Sequence, residues 1–183
     1  MKSRSSVFNG FLALVAVVLV TGCCTSEECK RSKEMSTLRV HLESDRGGHD
    51  RASAISVIRS SPVKINIDRE PVLFEGNIVG ARILEEDGGL FSIEIQLDRR
   101  GSWALERTTV SHKSRRLAIF SEFGKDARWL AAPVITAKNS SGRLTFTPDA
   151  THEEAERIVR GWNNFAKEQE SADKWPFAPA LER

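Results

Sequence analysis

The chain has 183 residues, with 27 Lys+Arg against 25 Asp+Glu. Residues 1–22 hold Lys2 and Arg4 and no acid, so the remainder carries 25 of each sign and no net charge. Without a basic surplus outside that leader, nucleic acid is excluded as the expected partner, and the chain is long enough for one well-buried domain.

Lys2 and Arg4 open a basic segment, and Phe11–Val20 is an uninterrupted apolar run. That run has signal-peptide length and is shorter than the roughly 20 residues of a spanning helix. Val20-Thr21-Gly22-Cys23 follows, and it resembles the bacterial lipobox. The resemblance implies cleavage after residue 22, lipid on Cys23 and a chain that is anchored rather than spanning. The expected location is therefore exported, lipid-anchored to the cell membrane or outer membrane and facing the periplasm. Cys24 and Cys29 are the other two cysteines. They could pair in an oxidising compartment, or be tether cysteines of no functional weight.

Residues 23–36 are polar and lack an apolar period, which reads as a flexible tether. The domain is expected over 37–167. Leu38, Val40 and Leu42 alternate with Arg39, His41 and Glu43, a half-buried strand with His41 on its polar face. Asp45–Arg51 reads as a loop. Ile55 and Val57 lead to a break at Ser60-Ser61-Pro62, after which Val63, Ile65 and Ile67 alternate as a second clear strand; Pro62 suits a strand start. Leu73–Ile78 is open between a helical turn and a loop. Val79–Leu84 and Leu90–Leu97 flank Glu85-Glu86-Asp87-Gly88-Gly89 and read as a hairpin.

Asp98 is an N-cap candidate for a helix over Ser102–Val110, with Trp103, Leu105 and Val110 as its apolar contacts. Arg99, Arg100, Arg107, Arg115 and Arg116 bracket that helix. They form either a basic patch for anionic lipid or carboxylates, or a solvated face paired with acids such as Glu106. Apolar runs at Leu117–Phe120, Trp129–Ile135 and Leu144–Phe146 are bounded by turn formers at Gly124–Arg128 and Asn139–Gly142. Thr151 with Glu154 has capping-box spacing, and Ala155, Ile158, Val159, Trp162, Phe165 and Ala166 lie on one face of the helix it opens. Residues 168–183 form a tail containing Trp175-Pro176-Phe177-Ala178-Pro179, which either covers an apolar seam or serves as a recognition segment. Runs of strands with two principal helices indicate a single compact α+β domain, its helices on one face of a mostly antiparallel or mixed sheet.

Leu117-Ala118-Ile119, Ala131-Ala132-Pro133-Val134-Ile135, Phe146-Thr147 and Glu153-Glu154-Ala155 occur in an order and spacing that resembles the first periplasmic head region of SecD, the membrane subunit that assists preprotein translocation. The resemblance spans Ile55 to Ala166. A longer turn, Phe123–Arg128, stands where the family has D-G-K, and the family's glycine-rich exit after the helix is replaced by Gly161-Trp162-Asn163-Asn164. The likeness implies a module that contacts exported polypeptides, or a translocase or other envelope protein.

No catalytic residue is expected. His41, His49, His112 and His152 are scattered, and no nucleophile elbow, P-loop or zinc-helix motif is present. Glu85, Glu86 and Asp87 lack EF-hand spacing and read as a solvated turn. No metal, cofactor or small-molecule ligand is expected. The reading is a lipid-anchored binding module, accessory to export or polypeptide handling. The alternative is an assembly lipoprotein with one fixed envelope partner.

Overall fold

The computed structural model describes residues 31, 33–44, 52–59 and 62–173. The expected signal peptide, Cys23, Cys24, Cys29, His49 and Trp175–Pro179 lie outside them. The chain divides into two units, residues 1–33 and 34–183, and the architecture below is that of the second.

Among the described residues, nine strands and two α-helices build it. In chain order they are β1 (Arg39–Leu42), β2 (Ala52–Val57), β3 (Val63–Asp68), β4 (Leu73–Phe74), β5 (Ile78–Glu85), β6 (Phe91–Leu97), α1 (Arg99–Ser111), β7 (Leu117–Phe123), β8 (Asp126–Ala131), β9 (Arg143–Phe146) and α2 (His152–Asp173). Every strand pair is antiparallel. Three sheets result, in the orders β4-β1-β7-β8, β2-β3 and β5-β6-β9. The α+β expectation holds, with the sheet divided into three.

The apolar pattern explains the layering. In β7, Leu117, Ile119 and Phe123 enter the main core, while Ala118 faces the other way and is equally buried. That second face is covered by the β2-β3 hairpin through Val57, Ile65 and Ile67, with Trp129 of β8 packed alongside. A strand covered on both sides reads as a continuous apolar run, hence Leu-Ala-Ile-Phe.

His41 sits opposite Ala118 in the register, so it faces the hairpin rather than solvent. Only 9% of it is exposed, which corrects the polar-face expectation. Its ring meets Trp129 edge-on at 5.6 Å between centroids. Nδ1 donates to the Asp68 carbonyl oxygen at 2.8 Å, since a carbonyl can only accept. Burial first, then the charge of Arg39, holds the imidazole below its ordinary value, against the contrary pull of Asp68. The folded state therefore resists protonation that the unfolded chain accepts near pH 6.5. The stability that His41 contributes should fall as pH drops below about 6.5, and that fall should vanish in His41→Gln. Urea midpoints at pH 7.5 and 5.5 test this; equal acid losses in both proteins would refute it.

Local signals explain most element ends. Asp98 caps α1, its carboxylate accepting from Gly101 N–H at 2.6 Å. The helix begins at Arg99, three residues before the expected Ser102, because that cap sits at its first turn. Thr151 and Glu154 form the capping box reciprocally, at 3.2 and 2.8 Å. Gly88 and Gly89 both adopt left-handed φ, 81° and 77°, which is why two glycines close the β5-β6 hairpin. Gly124, φ 61°, opens a loop of only Gly124 and Lys125, for Phe123 pairs with Asp126. The expected Gly124–Arg128 turn is thus shorter, and Asp126–Arg128 are strand. Leu73–Ile78 resolves into the short β4 and a 3₁₀ turn over Glu75–Asn77.

Helix α2 lies along β5 and also touches β6, β7 and the 3₁₀ turn. Asn163 from α2 treats β5 as a strand would: it accepts from Ala81 N–H at 2.8 Å and donates to Ala81 C=O at 2.9 Å. One outer edge of the three-stranded sheet is thereby closed at its centre. The helix runs to Asp173, past the expected domain end at 167. Ordered packing likewise begins before Thr37, with Glu34 paired to Arg157 and Arg160. Ser36 is buried against Gly161.

Candidate functional site

The segments that carried the family resemblance converge. Ala131, Ala132 and Pro133, leaving β8, face Phe146, Thr147, Pro148 and Asp149, leaving β9. With Ile58 and Leu130 they line an open cleft of about 460 Å³. Sequence order alone leaves these pieces some fifteen positions apart. The fold closes them because Leu130 C=O accepts from Asp149 N–H at 2.7 Å.

The two walls are fixed differently. Beyond β8 the chain is tied to the entry of β7: Leu117 N–H donates to Pro133 C=O at 2.9 Å, and Ile135 N–H to Arg115 C=O at 2.8 Å. Arg116 adds a bond from Nη1 to Ala132 C=O at 3.3 Å, while its backbone N–H meets Glu43 Oε2 at 2.9 Å. The expected strand over Trp129–Ile135 therefore ends at Ala131 and continues as an extended segment. The other wall is β9, which has β6 on one side and no strand on the other among the described residues. Gly142 C=O accepts from Leu97 N–H. By antiparallel alternation, the backbone groups of Arg143 and Thr145 then point away from β6. Asn139 Nδ2 and Ser141 Oγ occupy Arg143 C=O and N–H.

An ionic clip braces the closed end. Arg59 N–H donates to Asp149 Oδ2 at 2.7 Å, and Arg128 pairs with Glu154 at 2.5 Å. Glu154 is held below its ordinary value, first by the Arg128 hydrogen bond and against some burial. The clip joins the β2-β3 hairpin, β8 and the start of α2. Ile58, beside it, adopts φ 70°, an uncommon conformation for a β-branched residue. Neither Ile58 nor the clip was legible in the sequence, since their partners lie up to 90 residues away.

A second groove, about 790 Å³, runs between α1 and the β3-β4 connection, lined by Leu42, Asp68–Val72, Arg107, Thr108, Ser111 and His112. It is more mixed in polarity, with Arg69, Glu70 and Arg107 at its rim. His112 Nδ1 is turned inward, donating to Thr108 C=O at 3.2 Å.

The remaining candidates separate. Arg99, Arg100 and Arg107 are exposed on α1, whereas Arg115 and Arg116 lie against Glu43. Glu106 pairs with Lys138 at 2.5 Å instead of an arginine, correcting that expectation. Glu85 meets His152 at 2.8 Å, and this bond raises the His152 imidazole above its ordinary value. Glu86 accepts from Ser92 Oγ. Among the described residues no three potential ligands gather as for a metal ion. No described helix is long and apolar enough to cross a membrane.

No protein-family model matches the chain, and no curated protein matches it. Solved structures do. One is a chain from a study of "a membrane component SecDF that enhances protein export", with TM-score 0.54 and 15% identity, covering 79% of this chain and 71% of that one. Another is SecDF in its super-membrane-facing form, with TM-score 0.53 and 15% identity, covering 76% of this chain and 21% of that one. At that identity the likeness is one of fold. The resemblance read from Leu117 to Ala155 is borne out at that level: this chain carries a fold found in SecDF.

Proposed function

We propose that the protein is a lipid-anchored binding module of the cell envelope, attached through Cys23 and accessory to protein export or polypeptide handling outside the inner membrane. The observation that carries this reading is the apolar cleft between the exits of β8 and β9. Alanine, proline, leucine and phenylalanine walls offer contact without selecting a particular side chain, and on the adjoining edge of β9 the outward backbone groups of Thr145, next to the capped Arg143, offer backbone pairing that tolerates many sequences. Likeness of fold to SecDF supports the polypeptide reading, although fold by itself does not transfer function. The alternative is an assembly lipoprotein that holds one envelope protein in the same cleft.

Photocrosslinking in cells from Ala132 and Thr147, followed by mass spectrometry, decides between them. A heterogeneous set of newly exported polypeptides or translocase subunits is expected, and narrowing the cleft with Thr147→Trp should abolish most crosslinks from Ala132. One discrete envelope protein, captured from both positions, would replace this reading with the alternative.

A further inference from the structure

Helix α1 distributes its apolar residues against the usual pattern. Its buried residues are Gly101, Leu105, Thr108 and Thr109, so Leu105 is the one large apolar side chain it commits to the core. Close approach is possible because Gly101 sits where a Cβ would come within 2.8 Å of Asn77 Cβ. Trp103 and Val110 are instead 59% and 57% exposed, overturning their expected role as packing contacts.

What they form on the outside is ordered. Arg99, Trp103, Arg107 and Val110 follow the i, i+4, i+8, i+11 spacing of one helix face, and Arg100 borders it. The Arg99 guanidinium lies over the indole ring, 4.6 Å from its centroid. Arg99, Arg100 and Arg107 are exposed, and none has an ion-pair partner among the described residues. Glu106, the only acid of α1, is occupied by Lys138. The face is therefore an apolar centre of tryptophan and valine framed by three unneutralised arginines.

We propose that this face of α1 docks on an anionic phospholipid surface. Tryptophan carries a large apolar body with one polar N–H and favours the boundary between headgroups and acyl chains. Arginine stems lie along apolar surface while their heads reach phosphate, and clustered cations are drawn to an anionic leaflet. An acidic protein partner would meet the arginines but would leave the central indole with no particular task. The surface is distinct from the cleft between β8 and β9, so either assignment can fail alone.

The test uses the full chain reconstituted into phosphatidylethanolamine/phosphatidylglycerol vesicles, with and without brominated acyl chains, reading tryptophan emission. Bromolipid should quench a fraction of the wild-type signal that disappears in Trp103→Phe. The same fraction should fall severalfold in an Arg99→Gln/Arg100→Gln/Arg107→Gln variant, and when phosphatidylcholine replaces phosphatidylglycerol. All substitutions are at exposed positions, and unchanged urea midpoints would confirm intact folding. Equal quenching in wild type and Trp103→Phe overturns the proposal, as does quenching indifferent to headgroup charge. Capture of an acidic protein by a photocrosslinker at position 103, without bromolipid quenching, would overturn it in favour of a protein partner.

Discussion

Trp162→Ala should lower the unfolding free energy by about 3–5 kcal/mol, the usual cost of deleting a buried aromatic ring. Trp162 is fully buried and belongs to the main core with Ile158, Phe123 and Leu38. Its indole N–H donates to Thr37 C=O at 2.9 Å, and the same oxygen accepts from Ser121 Oγ at 2.8 Å. One carbonyl thus joins α2 and β7 to the segment that enters β1. Because small domains hold only about 5–15 kcal/mol in total, the variant should lose a large part of its stability. Urea denaturation followed by far-UV circular dichroism measures it. Trp162→Phe, which keeps most of the ring volume, should lose much less, with about 1 kcal/mol attributable to the missing hydrogen bond. Equal losses in the two variants would mean that packing at Trp162 is not what matters.

Gly161→Leu should be the next most damaging change, at about 1–3 kcal/mol, the range for overpacking a tight contact. Gly161 is the place where α2 admits the backbone of the N-terminal segment. A Cβ there would lie 2.7 Å from Ser36 N and closer still to Ser36 Oγ. The neighbouring bonds show how much rests on that approach. Glu34 pairs with Arg157 and Arg160, and its backbone oxygen accepts from Asn164 Nδ2 at 2.9 Å. Burial pushes the Glu34 carboxyl up, but the two arginines outweigh it and hold the group below its ordinary value. In Gly161→Leu the residues from Glu34 to Thr37 should detach before the core melts. Protease cleavage near Met35 should then appear at urea concentrations where the wild type resists. A variant with wild-type stability and protection would show that Ser36 can move aside freely.

Gly161-Trp162 illustrates how far the sequence could be read. The pair was legible as a departure from the SecD pattern and Trp162 as a member of an apolar helix face. Its partner was not, since Thr37 lies 125 residues away and nothing local marks a carbonyl as an acceptor for an indole. His41 shows the converse error. Alternation placed it correctly opposite Val40 and Leu42, yet alternation cannot tell whether the second face of a strand meets water or another layer. The β2-β3 hairpin supplies that layer through Val57, Ile65 and Ile67. Trp103 and Val110 failed for a related reason: apolar character signals burial only when a neighbouring element covers the face, and α1 turns Gly101 and Leu105 inward instead.

By itself, the sequence determined what depends on near neighbours along the chain. Turn glycines at 88, 89 and 124, the Asp98 cap, the Thr151–Glu154 box and the period-two and period-3.6 runs all act within a few residues, so composition and spacing suffice. Tertiary structure alone decided which faces are doubly covered, that Asn163 closes the edge of β5, and that the Ala131–Pro133 and Phe146–Asp149 segments form opposite walls of one cleft. Those outcomes depend on backbone hydrogen bonds and packing between residues far apart in the chain, whose partners become specified only when the layers assemble.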